Sequence, residues 1–333
     1  MLSCAIIGLG GLGKKHLGNL LNMKDKVKVV ALCDIEGNTL TATTKTNQGN
    51  IKTDMDLSGC RFYTDAAEML DKEKLDFVVT ALPTYLHEKY AVMALERGVH
   101  TFSEKPMART SQQAQNMIDA AKRNGKKLMI GQCLRYKDSY MALKHYVDSG
   151  ELGKPIRVAF HRYSFLPVWG WQNWYLDYEK SGCSAMDLHV HDVDLVNWIF
   201  GKPNSVSSVA THNRTKFDSI TTRYFYDNVC VTADCDWSFG ESFGFRRGYF
   251  AVFEKATLEM KDSGETLICP IDGPAYPLEL SGLDPYMEEM KDLINAIEED
   301  REITVLAPES TKQTIDIVLA EIRSAETGMP VSL

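Results

Sequence analysis

No stretch of this 333-residue chain is long and apolar enough to span a membrane, and none of its 8 cysteines forms a CxxC pair. The first absence argues against a spanning helix, which needs about 20 predominantly apolar residues. The cysteines are scattered at 4, 33, 60, 133, 183, 230, 235 and 269, several in apolar strand-like runs. They read as reduced core thiols, not as a disulfide framework or a zinc site. A basic patch interleaved with aromatics is also missing. With 37 basic and 45 acidic residues the formal net charge is −8, which argues against nucleic acid and anionic membrane as main partners. A glycine motif opens at residue 8 and leaves no room before it for a basic segment and an apolar segment, so the protein is expected in the cytoplasm. Internal repeats and low-complexity segments are absent as well. What remains is ordinary for a globular protein, with 44% hydrophobic and 25% charged residues, and the length suggests two domains.

The most informative stretch is Gly8-Leu9-Gly10-Gly11-Leu12-Gly13. It follows the apolar run Cys4 to Ile7 and opens an amphipathic segment, Lys14 to Met23. A second apolar run, Val27 to Cys33, ends in Asp34, 21 residues after Gly13. Strand, glycine turn, helix, strand and acid in this order form a dinucleotide-binding layout. Gly8 permits a tight turn, Gly10 lets the backbone approach a pyrophosphate, and Gly13 lets the helix pack on the strand. The helix N-terminus offers N–H groups and a positive dipole end to the phosphates. The plainer alternative is a glycine turn in a doubly wound sheet that binds another ligand. Asp34 at the end of the second strand suits ribose hydroxyls and repels a 2′-phosphate, and Ile35 and Glu36 supply no cation for one. NAD is expected over NADP.

The first third alternates strand and helix. Thr39 to Leu57 reads as a helix and a loop, and Cys60 to Tyr63 as a short strand. Leu75 to Ala81 reads as a buried strand, Tyr85 to Arg97 as a helix and Val99 to Ser103 as a strand. Ser111 to Asn124 is expected to be helical and Lys127 to Gly131 extended. Such alternation implies a parallel sheet covered on both faces. The rhythm then changes. Strand patterns fall at 156–164, 205–211, 220–226, 230–238, 249–253, 257–260 and 266–269. A helix from Asp187 to Phe200 interrupts them, and helices at 285–299 and 308–327 close the chain. The expected fold is α/β: an N-terminal doubly wound parallel sheet over residues 1–130, then an α+β domain over 131–333 with a large, mostly antiparallel open sheet. Such a sheet needs a cover on its apolar face, by helices and another subunit.

Three features carry chemistry. Glu104-Lys105-Pro106 follows a strand of the parallel sheet, where ligands gather at the carboxyl ends. Lys105 there can hold a substrate hydroxyl, or it can be a surface lysine paired with Glu104. In Asp187-Leu188-His189-Val190-His191-Asp192-Val193-Asp194, residues 187, 191 and 194 share one face of a continuous helix, while His189 and Asp192 point elsewhere. A carboxylate one turn from a histidine fixes its tautomer and raises its basicity, as a general base requires. A capping acid beside a structural histidine is the other reading. A metal site is disfavoured because helical phase separates the two histidines. Trp169, Trp171, Trp174, Tyr175 and Tyr178 suit either the C–H faces of a sugar or a core.

Together, Gly8 to Gly13, Asp34, Leu82-Pro83-Thr84 with His87, Glu104-Lys105-Pro106 and the 187–194 segment resemble the Gfo/Idh/MocA family along the whole chain. Ser324-Ala325-Glu326-Thr327-Gly328 also looks like that family's C-terminal end. The resemblance implies a Rossmann domain followed by an open-sheet domain often used for oligomerisation. It implies hydride transfer between NAD and a ring hydroxyl of a sugar or cyclitol, and a homo-oligomer, dimer or tetramer. By motif position Lys105, Asp187 and His191 match catalytic positions. Gly8, Gly10, Gly11, Leu12, Gly13, Asp34, Leu82, Pro83, Thr84, His87, Glu104 and Lys105 match the cofactor site. Asp194, Arg135 and Trp174 are candidate substrate contacts. His189 departs from the family, where Gly or Thr is common, and is a further candidate that could reshape the substrate pocket. No metal is expected. A nicotinamide-binding sensor without catalysis is the rival reading.

Overall fold

The computed structural model describes residues 1–36, 44–46, 49–51, 55 and 57–333. The chain forms two compact units. One comprises Met1–Cys133 with Pro285–Lys312, the other Leu134–Asp284 with Gln313–Leu333. A single cut after residue 130 therefore does not describe the division, because the chain crosses back for residues 285–312.

In the first unit, β1 (Leu2–Ile7), α1 (Gly11–Leu21) and β2 (Val27–Cys33) form the expected opening. Thr44–Thr46 (β3) and Gly49–Ile51 (β4) pair as a small antiparallel ribbon, where a helix and a loop were expected. The rest of that expectation, apart from 55 and 57, lies outside the described residues. There follow β5 (Arg61–Tyr63), α2 (Ala66–Lys72), β6 (Phe77–Thr80), α3 (His87–Glu96), β7 (His100–Glu104), α4 (Ser111–Arg123) and β8 (Leu128–Gly131). Helix α2 escaped sequence reading because it spans only two turns. Its start is nonetheless marked by Asp65, whose carboxylate accepts the Glu68 amide at 2.8 Å.

The sheet order is β5-β2-β1-β6-β7-β8, and every pairing is parallel. In order of use this is 3-2-1-4-5-6, with its reversal between β1 and β6. All four residues of both β6 and β8 are buried, as strands covered on two faces require.

The second unit begins with α5 (Asp138–Ser149), unmarked in the sequence reading, and β9 (Pro155–Phe165). Then come α6 (Tyr178–Ser181), α7 (Cys183–Asp187), α8 (Val190–Phe200), β10 (Ser205–Thr211), β11 (Ser219–Phe225) and β12 (Cys230–Phe239). They are followed by β13 (Arg246–Phe253), β14 (Ala256–Met260), β15 (Thr266–Pro270) and β16 (Tyr276–Pro277). Helix α9 (Pro285–Glu298) belongs to the first unit. It packs on α1, and Lys26 donates to Asn295 at 2.7 Å. Helix α10 (Pro308–Thr327) and β17 (Val331–Ser332) end the chain.

The nine strands run β16-β15-β14-β13-β9-β12-β11-β10-β17. Only β9 and β12 pair in parallel. Alternation is strict: Val158, Phe160, Arg162 and Ser164 are buried, while Ala159, His161 and Tyr163 between them keep access to solvent. One face thus forms a core and the other stays open. Among the described residues, no helix is long and apolar enough to cross a membrane.

Candidate active site

In the first unit the glycine turn does three separable things. Gly8 has φ +92°, and a Cβ there would lie 2.3 Å from the Ala81 carbonyl oxygen. A Cβ on Gly13 would lie 1.9 Å from the Gly8 carbonyl oxygen, so α1 meets the turn backbone to backbone. A Cβ on Gly10 would meet nothing within 4 Å, which leaves space in front of the helix N-terminus. Gly10 is also the N-cap and offers no side-chain cap to Gly11, Leu12 and Gly13. This arrangement fits a pyrophosphate. Asp34 remains partly exposed at the end of β2. Its carboxylate accepts the Leu9 amide at 2.7 Å and the Glu36 amide at 3.1 Å, so it also pins the turn. Lys14, buried on α1, lies in the field of Asp34, a neighbour in space that the local sequence does not reveal.

The loop after β6 carries Leu82, Pro83 and Thr84. His87 is buried, with Nδ1 2.7 Å from the Pro106 carbonyl and Nε2 2.7 Å from the Leu82 carbonyl. It stitches that loop to the turn after β7, so its ring faces backbone oxygens instead of a ligand. Burial lowers its pKa, against the two carbonyls that raise it. Glu104 is likewise buried. Its carboxylate lies 2.6 Å from His16 Nε2 and accepts the Lys105 amide at 3.1 Å. Its side chain therefore orients Lys105. From Thr101 to Ala108, Lys105 alone is not buried.

In the second unit the expected continuous helix from Asp187 is broken. Helix α7 ends at Asp187, and the Leu188 and His189 amides both donate to the Ser184 carbonyl, at 3.1 and 2.8 Å. Helix α8 starts afresh, with the Asp192 and Val193 amides on the His189 carbonyl. Neither proline nor glycine marks the junction. Asp187 and His191 thus lie on successive helices, not one turn apart on one face. Of the fourteen residues from Ser181 to Asp194, only these two are not buried.

The other polar residues of the segment face inward. Arg162 grips Asp192 through two hydrogen bonds, 2.9 Å from Nε and 2.8 Å from Nη2. Burial opposes the Arg162 charge, but Asp192 and Tyr140 hold its pKa above the ordinary value. Arg135 grips Asp194 in the same way, at 2.8 and 2.7 Å, and Thr314 on α10 donates to Asp194 at 2.8 Å. Arg135 and Asp194 were expected to touch substrate. Instead both are about 1% exposed and bind each other, because two buried charges are tolerable only when paired. His189 is corrected too: it is fully buried and faces Glu321 of α10, so it lines no substrate surface. Trp174 is 9% exposed and stacks on Tyr175 at 4.0 Å, whereas Trp171 is 42% exposed. The aromatic presented to solvent is thus Trp171. Sequence reading missed Arg162, Glu321 and Thr314, since nothing local marks a partner 30 to 132 residues away.

Comparison with known proteins agrees with this fold. Residues 2–132 match the family model described as oxidoreductase family, NAD-binding Rossmann fold, and residues 140–259 match the GFO/IDH/MocA C-terminal domain. An inositol 2-dehydrogenase of Salmonella typhimurium is 29% identical over 202 residues, 60% of this chain and 55% of that protein. The chain thus spans little more than half the length of that relative. Among solved structures, the aldose-aldose oxidoreductase of Caulobacter crescentus is 22% identical, with TM-score 0.84, covering 100% of this chain and 99% of that one. A levoglucosan dehydrogenase in complex with NADH and levoglucosan is 16% identical, with TM-score 0.83 and 99% of each chain covered. Those likenesses establish the fold. With both of its domains matched in order, the chain belongs to the Gfo/Idh/MocA family of oxidoreductases, and residues 2–132 are the family's NAD-binding Rossmann domain.

Proposed function

We propose that the protein is an NAD-dependent dehydrogenase that oxidises a secondary hydroxyl of a cyclitol or sugar. The observation that carries this reading is the selective access of Lys105, Asp187 and His191 in segments that are otherwise buried. His191 takes the hydroxyl proton, and Asp187 stabilises the imidazolium that results. The Lys105 ammonium steadies the alkoxide as its C–H bond breaks. NAD, when bound, supplies the acceptor for the hydride. The substrate carbon becomes a carbonyl, and carbonyl reduction uses the same groups in reverse. The inositol 2-dehydrogenase relative supports the polyol class. Asp34 at the end of β2 supports NAD over NADP. The test is NADH formation from NAD over pools of inositols, aldoses and glycosides. One responding pool is expected. Silence in every pool with saturable NAD binding intact would favour a sensor instead.

The open face of the nine-stranded sheet supports a homo-oligomer, dimer or tetramer, as part of this reading. Phe250 is 48% exposed there beside His161 of β9, and Val209, on β10 three strands from β9, is 69% exposed. Light scattering should give at least twice the chain mass, and a monomer would refute it.

A further inference from the structure

His189, Glu321 and Tyr224 come from the α7–α8 junction, α10 and β11 and meet inside the second unit. All three are at most 1% exposed. His189 Nε2 lies 3.5 Å from a Glu321 carboxyl oxygen. Neither imidazole nitrogen has a hydrogen-bond partner among the described residues, and the Tyr224 hydroxyl faces the Glu321 carboxyl, an interaction that works against burial at that carboxyl. Such a group of buried polar atoms is costly unless its members share protons among themselves. The proposed catalysis leaves the cluster without a role, yet it touches the catalytic segment directly. The His189 carbonyl accepts the Asp192 and Val193 amides, so it begins the helical turn that carries His191.

We propose that His189 and Glu321 form a one-proton latch that sets the position of the first turn of α8, making both of them positioning residues for His191. This rests on the acid–base role given to His191 above. The latch holds one proton more than the fully deprotonated pair: either the carboxylic acid donates to a neutral imidazole, or an imidazolium faces a carboxylate. Both forms have zero net charge, which the core tolerates. Burial presses His189 down to about 4, partly offset by Asp192 and Asp234, and it raises Glu321 to about 8. The first form therefore prevails at neutral pH. Removing the proton leaves a lone anion in the core beside Tyr224, and the junction must shift to hydrate it.

The other ionisable groups whose charge reaches the cluster are already engaged. Asp192 is held by Arg162, Asp234 accepts from Tyr163 and Thr221, and Tyr226 donates to the Gly201 carbonyl. Near pH 8 the transition thus belongs to the latch.

The test is a pH titration from 5 to 9.5 of the full-length protein labelled with ¹³C at histidine Cε1. His189→Asn and His191→Asn variants assign the two signals. His189 should keep the neutral position below pH 7 and move once near pH 8. His191 should show an inflection at the same pH, besides its own titration. Glu321→Gln keeps the shape without the ionisable group and should abolish both movements near pH 8. Tyr224→Phe should displace both midpoints by the same amount. A His191 curve with no inflection at the His189 midpoint overturns the proposal in wild type alone, whatever the variants do. So does a His189 signal that titrates near the free imidazole value. Failure of the catalytic reading looks different: the coupled titration persists while His191→Asn leaves NADH formation on the responding polyol pool unchanged.

Discussion

Thr101–Ala108 and Ser181–Asp194 bury nearly everything and leave accessible only the side chains assigned to chemistry, but they are held in place by different means. Lys105 follows a strand whose position is set by backbone ladders to β6 and β8. One buried pair, His16 with Glu104, completes its support. Asp187 and His191 flank a break between helices. There three inward side chains, His189, Asp192 and Asp194, face partners on distant elements. A functional group after a ladder inherits its position from the sheet. One at a helix junction depends on individual buried polar pairs, each of which costs much more when half of it is removed than when both halves are.

Breaking that comparison begins with the chemistry. His191→Ala should lower turnover by about 10²–10⁴-fold, the usual worth of a positioned acid–base group. Lys105→Ala should lower it by about 10²–10³-fold. His191→Ala should bind NAD normally by fluorescence titration. Near-normal turnover in both variants would remove the shared role of the two segments.

The next largest effect is on stability. Arg162→Met should cost about 3–5 kcal/mol in denaturant unfolding, because Asp192 is left charged and buried. The double variant Arg162→Met with Asp192→Leu should recover most of that loss. A double variant no better than the single would mean that packing, not charge pairing, holds α8. In the glycine turn, Gly13→Ala forces a Cβ against the Gly8 carbonyl and should cost about 1–3 kcal/mol, with NAD affinity falling alongside.

The smallest effect is in pH dependence. Glu321 has a raised folded pKa, so its contribution falls as pH rises from the unfolded value, about 4.3, to about 8. His189 has a lowered one, so its contribution grows from about 4 to the unfolded value of about 6.5. The two nearly cancel up to about pH 6.5, and the net loss falls between there and pH 8. It should amount to about 2 kcal/mol at most. Urea midpoints across that window should decline in wild type and stay flatter in Glu321→Gln. Equal slopes would show that the pair carries no such proton.

Much of the first unit was legible from local pattern. The glycine spacing, the continuous apolar run of β6 and the periodicity of α4 each act within a few residues. In the second unit the strands were legible for the same reason: alternation records which side of a sheet is covered. The break at 187–189 was not, since no glycine or proline marks it and the Ser184 carbonyl takes two amides in place of a regular helical bond. The burial of Trp174 and the exposure of Trp171 were equally closed to inspection. Both are tryptophans in one short turn, and Trp174, unlike Trp171, is stacked on Tyr175 and buried.

By itself the sequence determined the order of elements, the division of labour among Gly8, Gly10 and Gly13, and the residue types available for proton transfer. These depend on sterics and hydrogen bonds between near neighbours along the chain. Which polar residues of 187–194 face solvent was decided by the tertiary structure alone. A buried charge must find its partner, and Arg162, Arg135, Thr314 and Glu321 reach Asp192, Asp194 and His189 only once distant elements have been packed together.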